Sequence, residues 1–231
     1  MVACSAGAAG LGAPARKRGR VGKADARPSA RHLPSALVLA AGASSRFPGT
    51  KQLARIGGTT IVERVLAAIP AHELGETVVV LGHEAEAVAR AAQHPRGVKF
   101  VLNRDYGAGM ATSIRAGIRA LASDSAGVVL LLADQPFVTR SLLRRMLKVF
   151  EEGGPGGRIV AAAHGDLVTP PVIFSREYFR ELEGLRGDQG ARSVIERHPG
   201  SLYLVGVRSK AVLADIDTRE DLDAARRLLE P

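Results

Sequence analysis

Ala36-Leu37-Val38-Leu39-Ala40-Ala41-Gly42-Ala43-Ser44-Ser45-Arg46-Phe47-Pro48-Gly49-Thr50-Lys51 is the stretch on which the fold turns. Its first five residues are apolar, with Pro34 before them and Gly42 soon after, as expected of a buried parallel strand. A loop of small residues follows and carries two cations, Arg46 and Lys51. Past Gly57-Gly58, Thr59 or Thr60 is placed to cap a helix through Ile61, Val65, Leu66 and Ile69. Small side chains let a backbone approach a ligand closely, and fixed cations beside exposed amides suit a polyphosphate. The stretch therefore reads as a nucleoside triphosphate cradle; the alternative is an ordinary strand-to-helix connection with two solvated cations. A Walker A loop fails on spacing, because Thr50 separates Gly49 from Lys51. No G-x-G-x-x-G follows the strand either.

Outward from this stretch, apolar runs alternate with amphipathic ones. Strands are predicted at Thr77–Leu81, Val98–Leu102 and Val128–Leu132, the last being the most apolar and so central. Helices are predicted over 84–92, from Thr112 or Ser113 through Leu121, and over Arg140–Phe150 behind a Thr139 cap. Shorter strands at Arg158–Ala163 and Pro171–Phe174 precede a helix over 175–184, a short helix ending near Glu196, a strand pair near 202–207 and 211–216, and a terminal helix to Leu229. This order predicts a three-layer α/β/α, Rossmann-like domain with a mostly parallel central sheet. Ligands of such sheets bind beyond the carboxyl ends of the strands. The loops at 42–51, 82–83, 103–110 and 134–136 then share one rim.

Composition narrows the function. The chain has 231 residues, enough for one sizeable core, which gives a single domain over 33–231. Of the net charge of +9, residues 1–32 hold +6, from seven Lys/Arg and one Asp. That Ala/Gly/Arg-rich leader lacks the apolar centre of a secretory signal and the large apolar groups needed to fold alone. It is expected to be a disordered extension or an over-long start, although a basic arm of this kind also suits nucleic acid or an anionic membrane. The body lacks a basic aromatic platform, with six Phe, three Tyr and no Trp in the whole chain, so nucleic acid is not expected as a partner. No apolar run approaches the roughly 20 residues of a membrane-spanning helix. The single cysteine, Cys4, fits a cytoplasmic protein.

Two acidic positions stand out. Asp134 follows five large apolar residues and precedes Gln135-Pro136, so it either caps the next turn or holds magnesium facing a triphosphate. Asp217, in Asp215-Ile216-Asp217-Thr218, is placed to supply a second metal oxygen; Asp217 or Thr218 is also placed to cap the terminal helix, and the two roles do not exclude each other. Strand periodicity would put Asp215 and Asp217 on one face.

Five motifs occur in order: L-A-A-G-A-S-S-R-F-P-G-T-K-Q-L, N-x-x-Y-x-x-G-M-x-T-S-I, A-D-Q-P, G-D-Q-G-A-R and D-I-D-T-x-E-D-L. Together they resemble the nucleotidyltransferases that attach a nucleotide to molybdopterin, in particular the molybdenum cofactor cytidylyltransferase branch, over about residues 35–229. The resemblance implies CTP and a molybdopterin-type cofactor as substrates, Mg2+ as metal, and a client molybdoenzyme or its chaperone as a possible partner. It implies that Leu39, Ala40, Ala41 and Gly42 line base and ribose, and that Arg46 and Lys51 bind the phosphates. Asn103, Asp105 and Gly109 fall in the loop that contacts the nucleotide. Asp134 and Asp217 match the metal ligands, and Arg46, Lys51 and Asp134 carry the catalytic charge. The guanylyl branch reads L-A-G-G where this chain has L-A-A-G, which favours CTP. Thr169-Pro170-Pro171 departs from the family's Gly-His-Pro or Gly-Asn-Pro, so the acceptor is less defined than the nucleotide. His164, beside that loop, reads as structural. The alternatives are transfer to a sugar phosphate or phospholactate, or a carrier that delivers the cofactor without making it.

Overall fold

The structure is a computed structural model that describes residues 32–228, apart from 45, 93–96 and 154–156. The leader expected at 1–32 lies almost wholly outside the described residues. Strand β1 (Ser35–Ala40) leads through a two-strand ribbon, β2 (Arg55–Ile56) and β3 (Thr59–Thr60), into helix α1 (Ile61–Ala68). Then follow β4 (Thr77–Leu81), α2 (Ala85–Ala91), β5 (Val98–Leu102), α3 (Met110–Ala120), β6 (Gly127–Leu132) and α4 (Arg140–Glu151). Strands β7 (Ile159–His164) and β8 (Leu167–Ser175) form a hairpin, after which come α5 (Phe179–Gly184), α6 (Arg192–Arg197), β9 (Leu202–Gly206) and α7 (Arg219–Arg227).

The large sheet has seven strands in the order β5-β4-β1-β6-β8-β7-β9. Only β8 runs against its neighbours. β6 sits in the middle, as its apolar sequence predicts. Alternation along β1 sends Ala36, Val38 and Ala40 into one core and Leu37 and Leu39 into the other. The first core is covered by α1, α2 and α4 through residues such as Val65, Val88 and Met146. The second is covered by α3, α5 and α6 through Ile114, Leu182 and Val194. A smaller cluster seats α7, through Leu222 and Ala225, on Ile56, Ile61 and Ile216. The chain is thus a three-layer α/β/α domain, in agreement with the sequence.

Thr60, of the two threonines offered as caps, does the capping: its hydroxyl accepts from the Glu63 amide while the Glu63 carboxylate accepts from the Thr60 amide. Thr139 caps α4 as expected.

Beside small shifts such as α5 starting at Phe179 rather than at 175, three larger differences separate the structure from the sequence reading. α3 begins at Met110 rather than at Thr112 or Ser113, because both hydroxyls are engaged with the preceding loop. β8 is longer than Pro171–Phe174 and takes in Thr169-Pro170-Pro171, which was expected to be a loop. A two-residue connection through Gly165 (φ +57°) folds it directly onto β7, and a bulge at Ala161/Ala162 absorbs the irregular pairing. Only the first of the last two predicted strands exists. Residues Lys210–Leu213 form a 3-10 turn started by Ser209, and 214–217 belong to no strand. Among the described residues no helix is long and apolar enough to cross a membrane.

Candidate functional site

The carboxyl ends of β5, β4, β1 and β6 are drawn together by main-chain bonds between the loops that leave them. His83 N donates to Ala41 O, Asn103 N to Leu81 O, and Ala133 N to Leu39 O. Gly82 has to be glycine here: an added Cβ would lie 2.7 Å from Ala41 O and 2.8 Å from Tyr106 Cβ. The result is a cleft of about 560 Å3 whose walls include Leu39, Ala41, Gly42, Arg46, Lys51, Gly109 and Asp134. Its size falls within the range of small-molecule sites.

The expected residues do not all stand alike. Ala40 is buried in β1 behind the cleft wall. Asn103 is also buried, and its side chain is spent internally: Nδ2 donates to the Thr112 and Ser113 hydroxyls and Oδ1 accepts from the Asp105 amide. It therefore shapes the 103–109 loop, while Asp105 is exposed outside the cleft wall. Gly109 lies against the G-D-Q-G loop, where Ala111 N donates to Gly187 O and Asp188 reaches the cleft.

Four charged side chains from distant parts of the chain converge. Lys51 Nζ donates to Asp134 Oδ2 at 2.6 Å and to Asp217 Oδ1 at 2.8 Å, and Arg46 donates to Asp217 Oδ2 at 2.8 Å. Burial on its own would lower the Lys51 ammonium, but the Asp134 carboxylate, assisted by Asp217, outweighs it and holds the group above its usual value. Asp217 arrives without a sheet register: Ile216 N donates to Asp134 O at 3.0 Å, which pins the segment beside the end of β6. Thr218 and Asp221 form a capping box at the start of α7, with Asp221 also accepting from the Asp217 amide. Asp217 therefore sits at the mouth of a capped helix, and the capping groups are its neighbours rather than Asp217 itself. Asp221→Ala should cost about 1 kcal/mol in urea unfolding through the lost cap. Asp215 keeps an open surface, yet crowding by surrounding protein and the charge of Asp134 push its carboxyl up to about 6.

The donor set suits a divalent cation. Asp134 Oδ1 is buried and has no hydrogen-bond partner, an acceptor left facing an unmet demand. Magnesium needs only one or two carboxylates when substrate phosphates complete its shell. Among the described residues no group of three or more His, Cys, Asp or Glu forms a self-sufficient metal site.

Sequence reasoning gave no role to Gln52, which is 3% exposed and borders the cleft. Its Nε2 donates to Gly42 O at 3.3 Å, bracing the loop, and its Oε1 is buried without a partner. The signal was its place directly after Lys51 in the K-Q-L motif. His164 is structural as expected, its Nδ1 lying 3.1 Å from Val207 O.

Comparison with known proteins places these features in context. The family described as "MobA-like NTP transferase domain" matches residues 36–202. Nicotine blue oxidoreductase of Paenarthrobacter nicotinovorans is 32% identical over 80% of this chain and 93% of its own length. The crystal structure of Rv0371c from Mycobacterium tuberculosis H37Rv superposes with a TM-score of 0.71 at 30% identity, over 84% of this chain and 98% of that one. The same protein crystallised with manganese gives 0.67 at 29%, with the same coverage. Molybdopterin-guanine dinucleotide biosynthesis protein A of Archaeoglobus fulgidus shares the fold, with a TM-score of 0.62 at 22% identity over 84% of this chain and 97% of that one.

Proposed function

Given that this chain belongs to the MobA-like NTP transferase family, we propose that it transfers CMP from CTP to the terminal phosphate of a molybdopterin-type cofactor and releases pyrophosphate. The observation that carries the reading is the meeting of Arg46, Lys51, Asp134 and Asp217 in one ion-pair cluster, of which Arg46, Lys51 and Asp134 line the cleft, with Asp134 Oδ1 buried and unpaired.

In this reading an acceptor phosphate oxygen attacks the α-phosphorus of CTP in line. The new P–O bond forms as the bond to the β-phosphate oxygen breaks, and the electron pair leaves with pyrophosphate. The nucleophile is already anionic, so no side chain need remove a proton. What the protein supplies is position and charge. Lys51 and Arg46 neutralise the phosphates, and the small residues from Ala41 to Ala43 let loop amides approach them. Leu39 and Ala41 border the base and ribose, and Gln52 keeps the Gly42 carbonyl turned inward. Asp134 and Asp217 would hold a divalent cation, which supplies further neutralisation of the leaving group. Mg2+ is the metal proposed, and manganese in the Rv0371c crystal is in keeping with a divalent site in this family. The preference for CTP rests on the L-A-A-G at Leu39–Gly42.

Pyrophosphate release from each of the four nucleoside triphosphates, with and without molybdopterin and with magnesium present or withheld, tests the proposal. Release is expected with CTP, molybdopterin and magnesium together. A preference for GTP would overturn the choice of nucleotide, and release only with a sugar phosphate or phospholactate would overturn the acceptor. No release under any condition would leave a cofactor carrier, or a redox activity such as the one for which the Paenarthrobacter relative is named.

A further inference from the structure

Lys51 is held where a divalent cation would be useful. Its Nζ bridges Asp134 Oδ2 at 2.6 Å and Asp217 Oδ1 at 2.8 Å, and the lysine side chain is only 12% exposed. Arg46 takes the remaining Asp217 oxygen at 2.8 Å. The two cations suited to phosphates and the two carboxylates suited to a metal therefore satisfy one another. Neither pair can bind its own ligand fully without releasing the other. Only Asp134 Oδ1 stands outside this arrangement, buried and without a partner.

We propose that Lys51 is an electrostatic placeholder, which keeps the Asp134–Asp217 pair from binding a divalent cation until a triphosphate draws the ammonium away. The proposal rests on the nucleotidyltransferase reading of the cleft and adds an order of events to it. Lys51 blocks the carboxylates by charge and by occupying the space between them. A triphosphate offers the ammonium stronger acceptors, and its transfer frees Asp134 Oδ2 and Asp217 Oδ1 in one step, while Arg46 stays on Asp217 Oδ2. Nucleotide and metal then bind with positive coupling, and by linkage each must strengthen the other equally. The arrangement discourages loading of the cleft with metal alone.

The sign of one substitution separates this from ordinary ligand binding. Were Lys51 simply part of a polar site, removing it would weaken every ligand. As a placeholder, its removal strengthens metal binding in the absence of nucleotide, because the two neighbouring carboxylates lose the cation they share and Asp134 is left with none. Mn2+ titration followed by electron paramagnetic resonance, without nucleotide, on the full chain is the measurement. Lys51→Met is expected to bind Mn2+ at least about fivefold tighter than the parent, at the lower end of typical coupling. Lys51→Arg, which keeps the charge, should bind as weakly as the parent. Adding Asp134→Asn to Lys51→Met should abolish the gain. Circular dichroism checks folding, and Lys51→Gln replaces Lys51→Met if the latter does not fold. Equal or weaker Mn2+ binding by the uncharged variant overturns the proposal. Calorimetric CTP binding to the parent, with magnesium, keeps the two readings apart. If CTP fails to bind, the functional reading falls; if CTP binds and the uncharged variant gains no Mn2+ affinity, only the placeholder falls.

Discussion

Asp134→Asn is expected to lower kcat/KM of the proposed transfer from CTP by at least about 10²-fold, the scale of a lost electrostatic stabiliser, while melting within a few degrees of the parent. The argument starts from position. β6 delivers Asp134 to the rim from the centre of the sheet, with Ala133 N bonded to Leu39 O, so the backbone there is set by β1 and not by the side chain. Asparagine has the same shape and leaves Lys51 with Asp217 as a partner at 2.8 Å. The fold should therefore tolerate it. What disappears is one negative charge, at a carboxylate whose Oδ1 no protein group satisfies. Steady-state kinetics beside a thermal melt decide the matter, and a variant that turns over like the parent removes Asp134 from the chemistry.

Gly109→Ala should be the most damaging single methyl in the cleft, at about 2–4 kcal/mol, combining a strained backbone with a backbone clash. Gly109 has φ 104° and ψ 166°, a region open almost only to glycine. An added Cβ would lie 2.3 Å from the carbonyl carbon and oxygen of Gly187 and 2.8 Å from the Asp188 amide. These are main-chain atoms of the opposing loop, which cannot rotate aside as a side chain would. Separating the loops also strains the Ala111 N to Gly187 O bond at the start of α3. In a domain of this size such a loss lowers Tm by roughly 5–15 °C, and CTP affinity should fall with it. A melt unchanged from the parent would mean that the 187–190 loop has slack to retreat.

The parallel core was legible because its strands are continuous apolar runs with sharp ends. Thr77–Leu81 and Val98–Leu102 have the same limits in sequence and structure. Thr77–Leu81, buried throughout, has no solvent side to blur the pattern, whereas Val98–Leu102 lies half exposed at the sheet edge and is marked by its Val, Phe and Leu content. The segment after β9 misled for the opposite reason. Ala211, Val212, Leu213 and Ile216 are apolar enough for a strand, but their burial is met by a 3-10 turn and by packing under α7. Short apolar runs do not distinguish these outcomes. Thr169-Pro170-Pro171 read as a loop by resemblance to the family's Gly-His-Pro, with a strand only from Pro171, yet β8 carries the prolines within the strand, where its pairing with β7 shifts register.

Local sequence determined which side chains reach the rim, since each polar residue that follows an apolar strand must emerge at a carboxyl end. That much identified Arg46, Lys51 and Asp134 and the family to which they point. Only the tertiary structure decided whom those charges face. Asp217 comes 166 residues after Lys51 along the chain, and their 2.8 Å contact depends on one main-chain bond from Ile216 to the end of β6. No spacing rule encodes such a meeting, because it is set by how a late, irregular segment packs across a finished sheet edge. Asn103 shows the same division: its side chain is spent on Thr112, Ser113 and the Asp105 amide, and the order of residues alone does not say whether an amide turns toward a ligand or toward its own loop.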